Sequence, residues 1–232
     1  MLYRDIIQGT DEWNQLRYRK VGGSSNAKVM TNLSKSVKDN AIFFELLGQF
    51  TEDFEIEESR YLSAKVERGN ELEPEARSEF ARIYGKEVFE IGWSESSDFT
   101  GISPDGIVKD GKVIKTESDV TKALEIKCPT KNTYVKYLIN KDLALEDYVW
   151  QIVTYFKEFP NLGVLYFFIY RPENKIKNHI LIEVRRSTVI AVDEKLVTNI
   201  DELVEILAIR QEMLKKALDA KVLELEDYDL PF

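Results

Sequence analysis

Cysteine and histidine are almost absent from this sequence. Its 232 residues include one cysteine, Cys128, and one histidine, His179. A single cysteine excludes an intramolecular disulfide and a cysteine-bound zinc or iron–sulfur cluster within one chain. A single histidine near the start of a predicted strand is more typical of a structural residue than of a zinc ligand or the base of a serine hydrolase. The chemistry of the chain must therefore come from other side chains.

Long apolar segments are also lacking. No apolar run approaches the roughly 20 residues that span a bilayer, and residues 1–5 lack the apolar centre of a signal peptide. Hydrophobic residues make up 44% of the chain and charged residues 31%, which is ordinary for a soluble globular protein. We therefore expect a cytoplasmic protein with no membrane partner.

An excess of basic residues is absent as well, since the formal net charge is −9. Taken alone, this charge argues against non-specific binding to DNA, because contacts to phosphates require Lys and Arg. Net charge says little about one local groove, however. The charge balance therefore leaves the decision to the chemistry of a local site.

The pattern along the chain predicts a single domain over residues 1–232, without repeats or Pro/Gly-rich linkers. We predict N-terminal helices over about 11–84, a core of strands over about 87–185 and a long amphipathic helix over about 193–220. Pro74 should kink the helix predicted for 64–84 or begin its second half. This order predicts an α/β fold with a central mixed β-sheet flanked by helices.

Acidic residues cluster over 52–58, between two predicted helices. Such a run is more typical of a solvated loop than of a metal site. We therefore look for a metal-binding site elsewhere in the chain.

The most informative segment is a Ser-Pro-Asp-Gly turn containing Asp105, followed twenty residues later by Glu125, Ile126 and Lys127. Because side chains alternate between the faces of a strand, Glu125 and Lys127 should share one face while Ile126 enters the core. The Pro-Asp-Gly turn places Asp105 at a sharp strand junction, where its carboxylate can meet that of Glu125. Glu-X-Lys alone is common on solvated surface strands, so the upstream turn is what makes the pattern informative.

A divalent cation and a phosphate would explain why an acid and a base share one face of an apolar strand. Mg²⁺ takes oxygen ligands, typically one or two carboxylates together with oxygens of a substrate phosphate. A metal-bound water is a stronger nucleophile near neutral pH. Lys127 is a compact positive charge that could orient this water or neutralise the developing charge on phosphorus.

These residues resemble the PD-(D/E)XK nuclease signature, and the chain is similar to the phage lambda-type exonucleases of the YqaJ-like viral recombinase family. The resemblance covers nearly the whole chain, from residues 9–13 to the C-terminal helix, and its pieces occur in the family's order. They are residues 13–17, 23–24, 69–77, 103–106 and 124–129, together with Gln151. It implies a restriction-endonuclease-like core.

The resemblance also implies a role for each matching residue. Asp105, Glu125 and the backbone carbonyl of Ile126 would bind Mg²⁺, for which Mn²⁺ could substitute, and Lys127 would be the catalytic lysine. Glu73 would be a further acidic ligand, acting directly or through water; otherwise it is an exposed carboxylate. Gln151 would lie beside the site; otherwise it is a buried core amide.

Three further positions match those that hold a 5′-terminal phosphate in this family: Arg17, Ser24 and Ser103. A guanidinium fork with hydroxyl groups suits a phosphate. Arg17 alone would be read as an ordinary surface residue, and Trp13 is more typical of a core residue than of one that stacks on DNA. Candidate contacts to the DNA strand are Lys131, Lys136 and Lys141.

The family further implies a homotrimeric ring, encoded by a phage or prophage, that threads the end of double-stranded DNA. Such an enzyme degrades one strand 5′ to 3′ and leaves a 3′ overhang for recombination by single-strand annealing. The chain departs from the family by an insertion over residues 112–122, which we predict to be a hairpin, and by its acidic balance.

The C-terminal residues, from Asp227 to Phe232, resemble the acidic, Pro-Phe-terminated tip of bacterial single-stranded-DNA-binding proteins. A terminal Phe with its carboxylate could dock in an apolar pocket edged by basic residues. Our hypothesis is that this tail recruits an annealing protein; otherwise it is a frayed acidic end.

Two other functions remain open. The chain could be a PD-(D/E)XK endonuclease of restriction or repair type, or a non-catalytic protein that binds DNA ends as a scaffold. The complete set of Asp105, Glu125 and Lys127 argues against the scaffold. An endonuclease would cut closed circular duplex, which an exonuclease should spare.

Overall fold

The computed structural model describes residues 1–31, 33–55, 64–111, 113–194 and 196–227, with the backbone alone at 64–66. Its helices are α1 (Asp11–Arg17), α2 (Asn26–Val29), α3 (Ala41–Thr51), α4 (Ala64–Tyr84), α5 (Lys131–Ile139), α6 (Asp142–Asp147), α7 (Val149–Glu158) and α8 (Ile200–Glu226). Its strands are β1 (Leu2–Tyr3), β2 (Val88–Phe89), β3 (Trp93–Glu95), β4 (Gly101–Ile102), β5 (Gly106–Val108), β6 (Lys122–Lys127), β7 (Val164–Tyr170), β8 (His179–Val184), β9 (Val189–Ala191) and β10 (Val197–Asn199). Within these ranges, no helix is long and apolar enough to cross a bilayer.

A five-stranded sheet occupies the centre of the fold, with the strand order β2-β5-β6-β7-β8. Strands β6 and β7 pair in parallel, and the other three pairings are antiparallel. All seven residues of β7 are buried, as expected for an apolar strand covered on both faces. The predicted α/β fold with a central mixed sheet is therefore confirmed.

Helices cover both faces of this sheet. One face is covered by a large core that includes Ala123 of β6 and residues of α7, on which α8 packs. The other face packs against α4, and a second core includes Ala76 and Phe80 of α4 with Leu124 and Ile126 of β6. The alternation of β6 residues between the two cores follows from the two-residue period of a strand. We propose that both cores belong to one domain.

Two local predictions need correction. The long C-terminal helix does not begin near residue 193, because β9 and β10 form an antiparallel pair and α8 begins at Ile200. Asn199 ends β10 and caps α8, and its side chain accepts the Glu202 amide at 3.0 Å. The insertion over 112–122 holds a 3-10 turn at Glu117–Asp119 rather than a hairpin, with Lys112 outside the described residues. The helix predicted for 64–84, in contrast, is present as α4 with Pro74 inside it.

Two acidic segments are only partly described. Glu52, Asp53 and Glu55 are exposed and follow the end of α3, which agrees with a solvated segment. Residues 57 and 58 of the same acidic run lie outside the described residues, as do residues 228–232 of the C-terminal tail.

Candidate active site

The register of the central sheet brings Asp105 to the end of β6. Gly106 pairs with Leu124 in the antiparallel β5–β6 ladder, so the residue before Gly106 lies beside Glu125 and Ile126. The Ile126 amide donates to Oδ2 of Asp105 at 2.6 Å. Two segments separated by twenty residues therefore meet at this edge of the sheet.

Glu125 is fully buried and receives hydrogen bonds at both carboxylate oxygens. Gln151 Nε2 donates to Oε1 at 2.7 Å, and the Tyr155 hydroxyl donates to Oε2 at 2.5 Å. Gln151 and Tyr155 lie four residues apart on α7 and therefore share one face of that helix. Helix α7 thus fixes the orientation of the buried carboxylate.

Lys127 lies on the same face of β6 as Glu125 and forms an ion pair with its Oε1. Its Nζ also lies 4.8 Å from the centroid of the Tyr148 ring, a cation–π contact. Ile126, between them in the chain, is buried in the opposite core. Asp105, Glu125 and Lys127 are therefore brought together at one end of the sheet.

Glu73 reaches this site from α4 through Arg77. Arg77 donates to Glu73 Oε1 at 2.5 Å and to the backbone carbonyl of Asp105 at 2.6 Å. The neighbouring Glu71 is exposed, and Glu75 accepts a hydrogen bond from the Tyr170 hydroxyl at 2.7 Å. Of these three glutamates, Glu73 is the one that lines the same cavity as Asp105 and Glu125.

Electrostatic effects at the site are dominated by burial and by repulsion between carboxylates. Burial raises the pKa of Asp105 well above its usual value, and the charges of Glu125 and Glu73 raise it further. Burial also raises the pKa of Glu73, which outweighs the opposing charge of Arg77. For Lys127, burial would lower the pKa, but the charges of Glu125 and Asp105 outweigh it and raise the pKa. The carboxylates therefore create a negative potential that the protein's own cations do not fully compensate.

This donor set fits a hard divalent cation. Asp105 and Glu125 supply carboxylate oxygens, and Ile126 lines the same cavity, where its carbonyl could add a third oxygen. Within the described ranges, no three Asp, Glu, His or Cys side chains form a complete metal site by themselves. Mg²⁺ commonly keeps several waters and substrate oxygens as ligands, so an incomplete protein shell is compatible with it.

A cavity of about 610 Å³ opens over these residues. Its wall also includes Arg68, Thr130 and Tyr148. Cys128 lies in the wall as well, and burial raises the pKa of its thiol to about 12, so this thiol is not a nucleophile at neutral pH.

The predicted phosphate-binding residues lie on segments next to this cavity. The Arg17 guanidinium stacks on Trp13 at 3.9 Å from the ring centroid, and Trp13 Nε1 donates to Ser103 Oγ at 2.9 Å. Arg17 and Ser103 are thus connected through Trp13, which is partly buried. Ser24 is exposed on the turn before α2.

The turn that carries Ser24 packs close to the active-site helix α7. A Cβ placed on Gly23 would lie 3.6 Å from Cγ of Gln151 and 3.4 Å from Ile102. The turn that carries Ser24 therefore lies next to Gln151, and the role of Arg17, Ser24 and Ser103 as a 5′-phosphate site remains a prediction.

Other predicted residues lie outside the cavity wall. Lys131, Lys136 and Lys141 are exposed on or beside α5, and their contacts to DNA remain predictions. His179 stacks on Phe168 with ring centroids 5.4 Å apart and pairs with the Asn178 side chain at 2.8 Å. This packing agrees with the structural role expected for the single histidine.

Sequence reasoning missed Tyr155, Arg77 and Tyr148 as parts of this site. Tyr155 and Arg77 each lie four residues after a predicted site residue on the same helix, Gln151 and Glu73 respectively. Helical spacing could have suggested both. Tyr148 precedes α7 and carried no comparable signal.

Both the sequence and the fold of this chain are similar to those of known proteins. A sequence profile of the YqaJ-like viral recombinase domain matches residues 12–157, a range that contains Glu73, Asp105, Glu125, Lys127 and Gln151. No curated protein matches the chain. Solved structures, in contrast, show clear similarity along almost the whole chain.

The first similar structure is an alkaline exonuclease (LHK-Exo) from Laribacter hongkongensis, with a TM-score of 0.71 and 24% identity, over 94% of this chain and 96% of that one. LHK-Exo in complex with dAMP gives 0.72 and 25% over the same shares. A phage related exonuclease from Haemophilus somnus 129PT gives 0.63 and 13%, over 91% of this chain and 99% of that one. At these identities the likeness indicates a common fold.

Proposed function

The chain belongs to the family of YqaJ-like viral recombinase domains and is a nuclease, and we propose that it is a Mg²⁺-dependent exonuclease that degrades one strand of double-stranded DNA from 5′ to 3′. The observation that carries this proposal is the meeting of Asp105, Glu125 and Lys127 at one edge of the sheet. Two acids with one base on a cavity wall suit hydrolysis of a phosphodiester next to a cation.

The chain's own residues divide the work at this site. Asp105, Glu125 and the Ile126 carbonyl would hold the cation, with Glu73 as a further ligand directly or through water. The bound Mg²⁺ would supply an activated water and stabilise the leaving oxygen. Lys127 would orient the attacking water and neutralise charge that develops on the phosphate, while Gln151 keeps Glu125 in place.

The proposed polarity depends on Arg17, Ser24 and Ser103. A terminal 5′-phosphate carries more charge than an internal phosphodiester, and a guanidinium with nearby hydroxyls is suited to it. The Arg17–Trp13–Ser103 contacts hold two of these groups in a fixed arrangement. This arrangement supports cleavage that starts from a 5′ end.

The biological role that we propose is recombination by single-strand annealing in a bacterial host. The chain would assemble as a homotrimeric ring around the duplex, and the tail over residues 227–232 would recruit an annealing protein. Deletion of Leu230, Pro231 and Phe232 should weaken binding of that partner while leaving nuclease activity intact. Unchanged partner affinity would remove the tail from the proposal.

One digestion series tests the enzymatic proposal. The substrates are a linear duplex with a 5′-phosphate, the same duplex without it, and a covalently closed circle, each in Mg²⁺, in Mn²⁺ and in EDTA. We expect mononucleotide release from the phosphorylated linear duplex with either metal, slower release without the phosphate, and none from the circle or in EDTA. Cleavage of the circle would favour the endonuclease alternative, and the absence of any cleavage would favour a scaffold.

A further inference from the structure

One wall of the active-site cavity carries a guanidinium that the proposed catalytic reaction does not use. Arg68 lies on α4, and its Nη2 pairs at 2.8 Å with Glu173, whose side chain is 49% exposed. Arg68 Nε is buried and has no hydrogen-bond partner within the described part of the chain. An ion pair open to solvent contributes little stability, so a phosphate could replace Glu173 as the partner of Arg68 at low cost.

The first turn of α5 lies in the same cavity wall. The N-cap residue Thr130 makes no side-chain cap bond, and its hydroxyl lies 3.2 Å from that of Thr133. Both threonines line the cavity, and the first turn contains no acidic residue. Because the first amides of a helix lack internal partners and the helix dipole is positive there, this turn is suited to an anion.

Gly69 provides an independent indication that a ligand approaches this wall. It lies inside α4 and lines the cavity, and a Cβ placed there would meet no described atom within 4 Å. Glycine weakens a helix interior relative to alanine, and the packing of the described residues does not require it. A side chain at position 69 would extend into the cavity that Arg68 also lines.

Building on the proposed nuclease function, we propose that Arg68, the bare wall at Gly69 and the first turn of α5 form a second phosphate subsite. It binds the phosphodiester next to the scissile one in the strand that is being cut. A strand that enters the cavity carries one phosphate per nucleotide, so holding the scissile phosphate at Lys127 brings the next one to this wall. The planar guanidinium can bind two phosphate oxygens at once.

The first test compares Arg68→Gln with Arg82→Gln, a matched variant on the same helix whose ion pair with Glu79 lies away from the cavity. Binding of a 5′-phosphorylated duplex is measured in EDTA by fluorescence anisotropy over a range of salt concentrations. For Arg68→Gln we expect about tenfold weaker binding and a salt slope shallower by about one, and in Mg²⁺ a raised KM with little change in kcat. Arg82→Gln should match the wild type.

Two further variants keep this test independent of folding. Arg68→Lys keeps the charge but loses the fork, so it should restore the salt slope and only part of the affinity. Gly69→Ala should melt at the same or a higher temperature than the wild type and yet bind duplex more weakly. An Arg68→Gln variant with wild-type affinity, salt slope and KM would overturn the subsite, and so would a Gly69→Ala variant with unchanged affinity.

The source of the phosphate is tested with dAMP as a competitor. Loss of dAMP competition in Arg68→Gln, with an unchanged duplex salt slope, would assign the wall to a released mononucleotide and overturn the strand subsite. Failure of the underlying function is distinguishable from both results, because a wild-type protein that releases no nucleotides in Mg²⁺ contradicts the nuclease proposal before any variant is compared.

Discussion

Lys127 contributes the ammonium group of the active-site cavity, where it is paired with Glu125 and packed on Tyr148. Lys127→Ala removes charge stabilisation from the reacting phosphate but no proposed metal ligand. We expect kcat to fall by about 10²–10³ or more, while metal affinity, measured by calorimetry, stays largely intact. Lys122→Ala is the matched control on the same strand, since Lys122 pairs with Asp110 away from the cavity. Normal turnover in Lys127→Ala would refute its catalytic role.

Tyr155 contacts both segments that carry the acidic residues of the site. Its hydroxyl donates to Glu125 Oε2 at 2.5 Å and accepts the Asp105 amide at 3.3 Å. Tyr155→Phe keeps the ring but leaves one buried carboxylate oxygen without a partner, so the free energy of unfolding should fall by about 1–3 kcal/mol. The half-saturating Mg²⁺ concentration should also change, because Glu125 becomes free to rotate.

Tyr134→Phe provides the control for this second effect. The Tyr134 hydroxyl is also a donor at 2.5 Å, but to the carbonyl of Lys177. The Tyr134→Phe variant should lose a comparable free energy of unfolding without any change in the half-saturating Mg²⁺ concentration. If both variants shift the Mg²⁺ requirement equally, Tyr155 only packs and does not position Glu125.

The raised pKa values of Asp105 and Glu73 predict how pH controls metal binding. Burial, followed by neighbouring carboxylates for Asp105, raises both pKa values in the metal-free protein. A carboxyl group whose pKa is higher in the folded than in the unfolded state stabilises the fold at low pH. This contribution is lost as the pH rises from the unfolded-state pKa through the folded-state pKa. A cation needs the ionised form, so its binding should tighten over the same range and release protons.

Calorimetry in two buffers of different ionisation enthalpy measures this proton release. Near the raised pKa values, Mg²⁺ binding should release protons from the wild type and fewer from Asp105→Asn. The metal-free protein should melt at a lower temperature as pH increases above about 4, the ordinary value for aspartate, whereas the Mg²⁺-bound protein should not. Equal proton release in the wild type and Asp105→Asn would contradict the placement of Asp105 at the metal.

At the scale of elements, local patterns predicted the active-site turn and strand and the bounds of α4, but they missed the β9–β10 pair and misplaced the start of α8. Asp105, Glu125 and Lys127 could be predicted to meet because a turn and a two-residue strand period are local properties. The four-residue spacing placed Arg77 near Glu73 and Tyr155 near Gln151, but not their bonds to Asp105 and Glu125, which depend on how α4 and α7 pack on opposite faces of the sheet. Tertiary packing of this kind leaves little trace in a single sequence.

The start of α8 shows why one boundary was wrong. Val197 and Ile200 are three residues apart, so the helical period extended the predicted helix backwards through residues that in fact pair with β9. Asn199, which separates the two elements, is a strong helix N-cap residue that the apolar period overrode. Capping residues should therefore outweigh periodicity when a helix start is assigned.

The N-cap residue Asn199 should contribute to the stability of the C-terminal helix α8. Asn199 accepts the Glu202 amide at 3.0 Å, so Asn199→Ala should lower the free energy of unfolding by about 0.5–2 kcal/mol. Lys141→Ala is the control, because Lys141 occupies the N-cap position of α6 without a side-chain cap bond. Chemical denaturation measures both variants, and an Asn199→Ala variant as stable as Lys141→Ala would show that the cap contributes nothing.

At the scale of the whole molecule, the charge balance needs an explanation if the ligand is DNA. The chain carries a net charge of −9, yet Lys131, Lys136 and Lys141 are all exposed on or beside α5, the helix whose first turn lines the cavity. Association around an enclosed channel would concentrate such groups at the duplex and leave acidic residues on the exterior. A negative protein and a DNA-binding channel are therefore compatible in an oligomer.

The proposed homotrimer is tested by its mass in solution and by its requirement for an open DNA end. Sedimentation should give three times the chain mass of 26.9 kDa, and a ring that must be threaded should stall on a linear duplex whose two ends are closed by hairpins. An open monomer would load internally on the same substrate once it is nicked. A protein that sediments as a monomer, and that degrades the hairpin-closed duplex after nicking as fast as an open-ended one, would contradict the ring. The same result would leave the chemistry at Asp105 and Glu125 in place, because those residues come from a single chain.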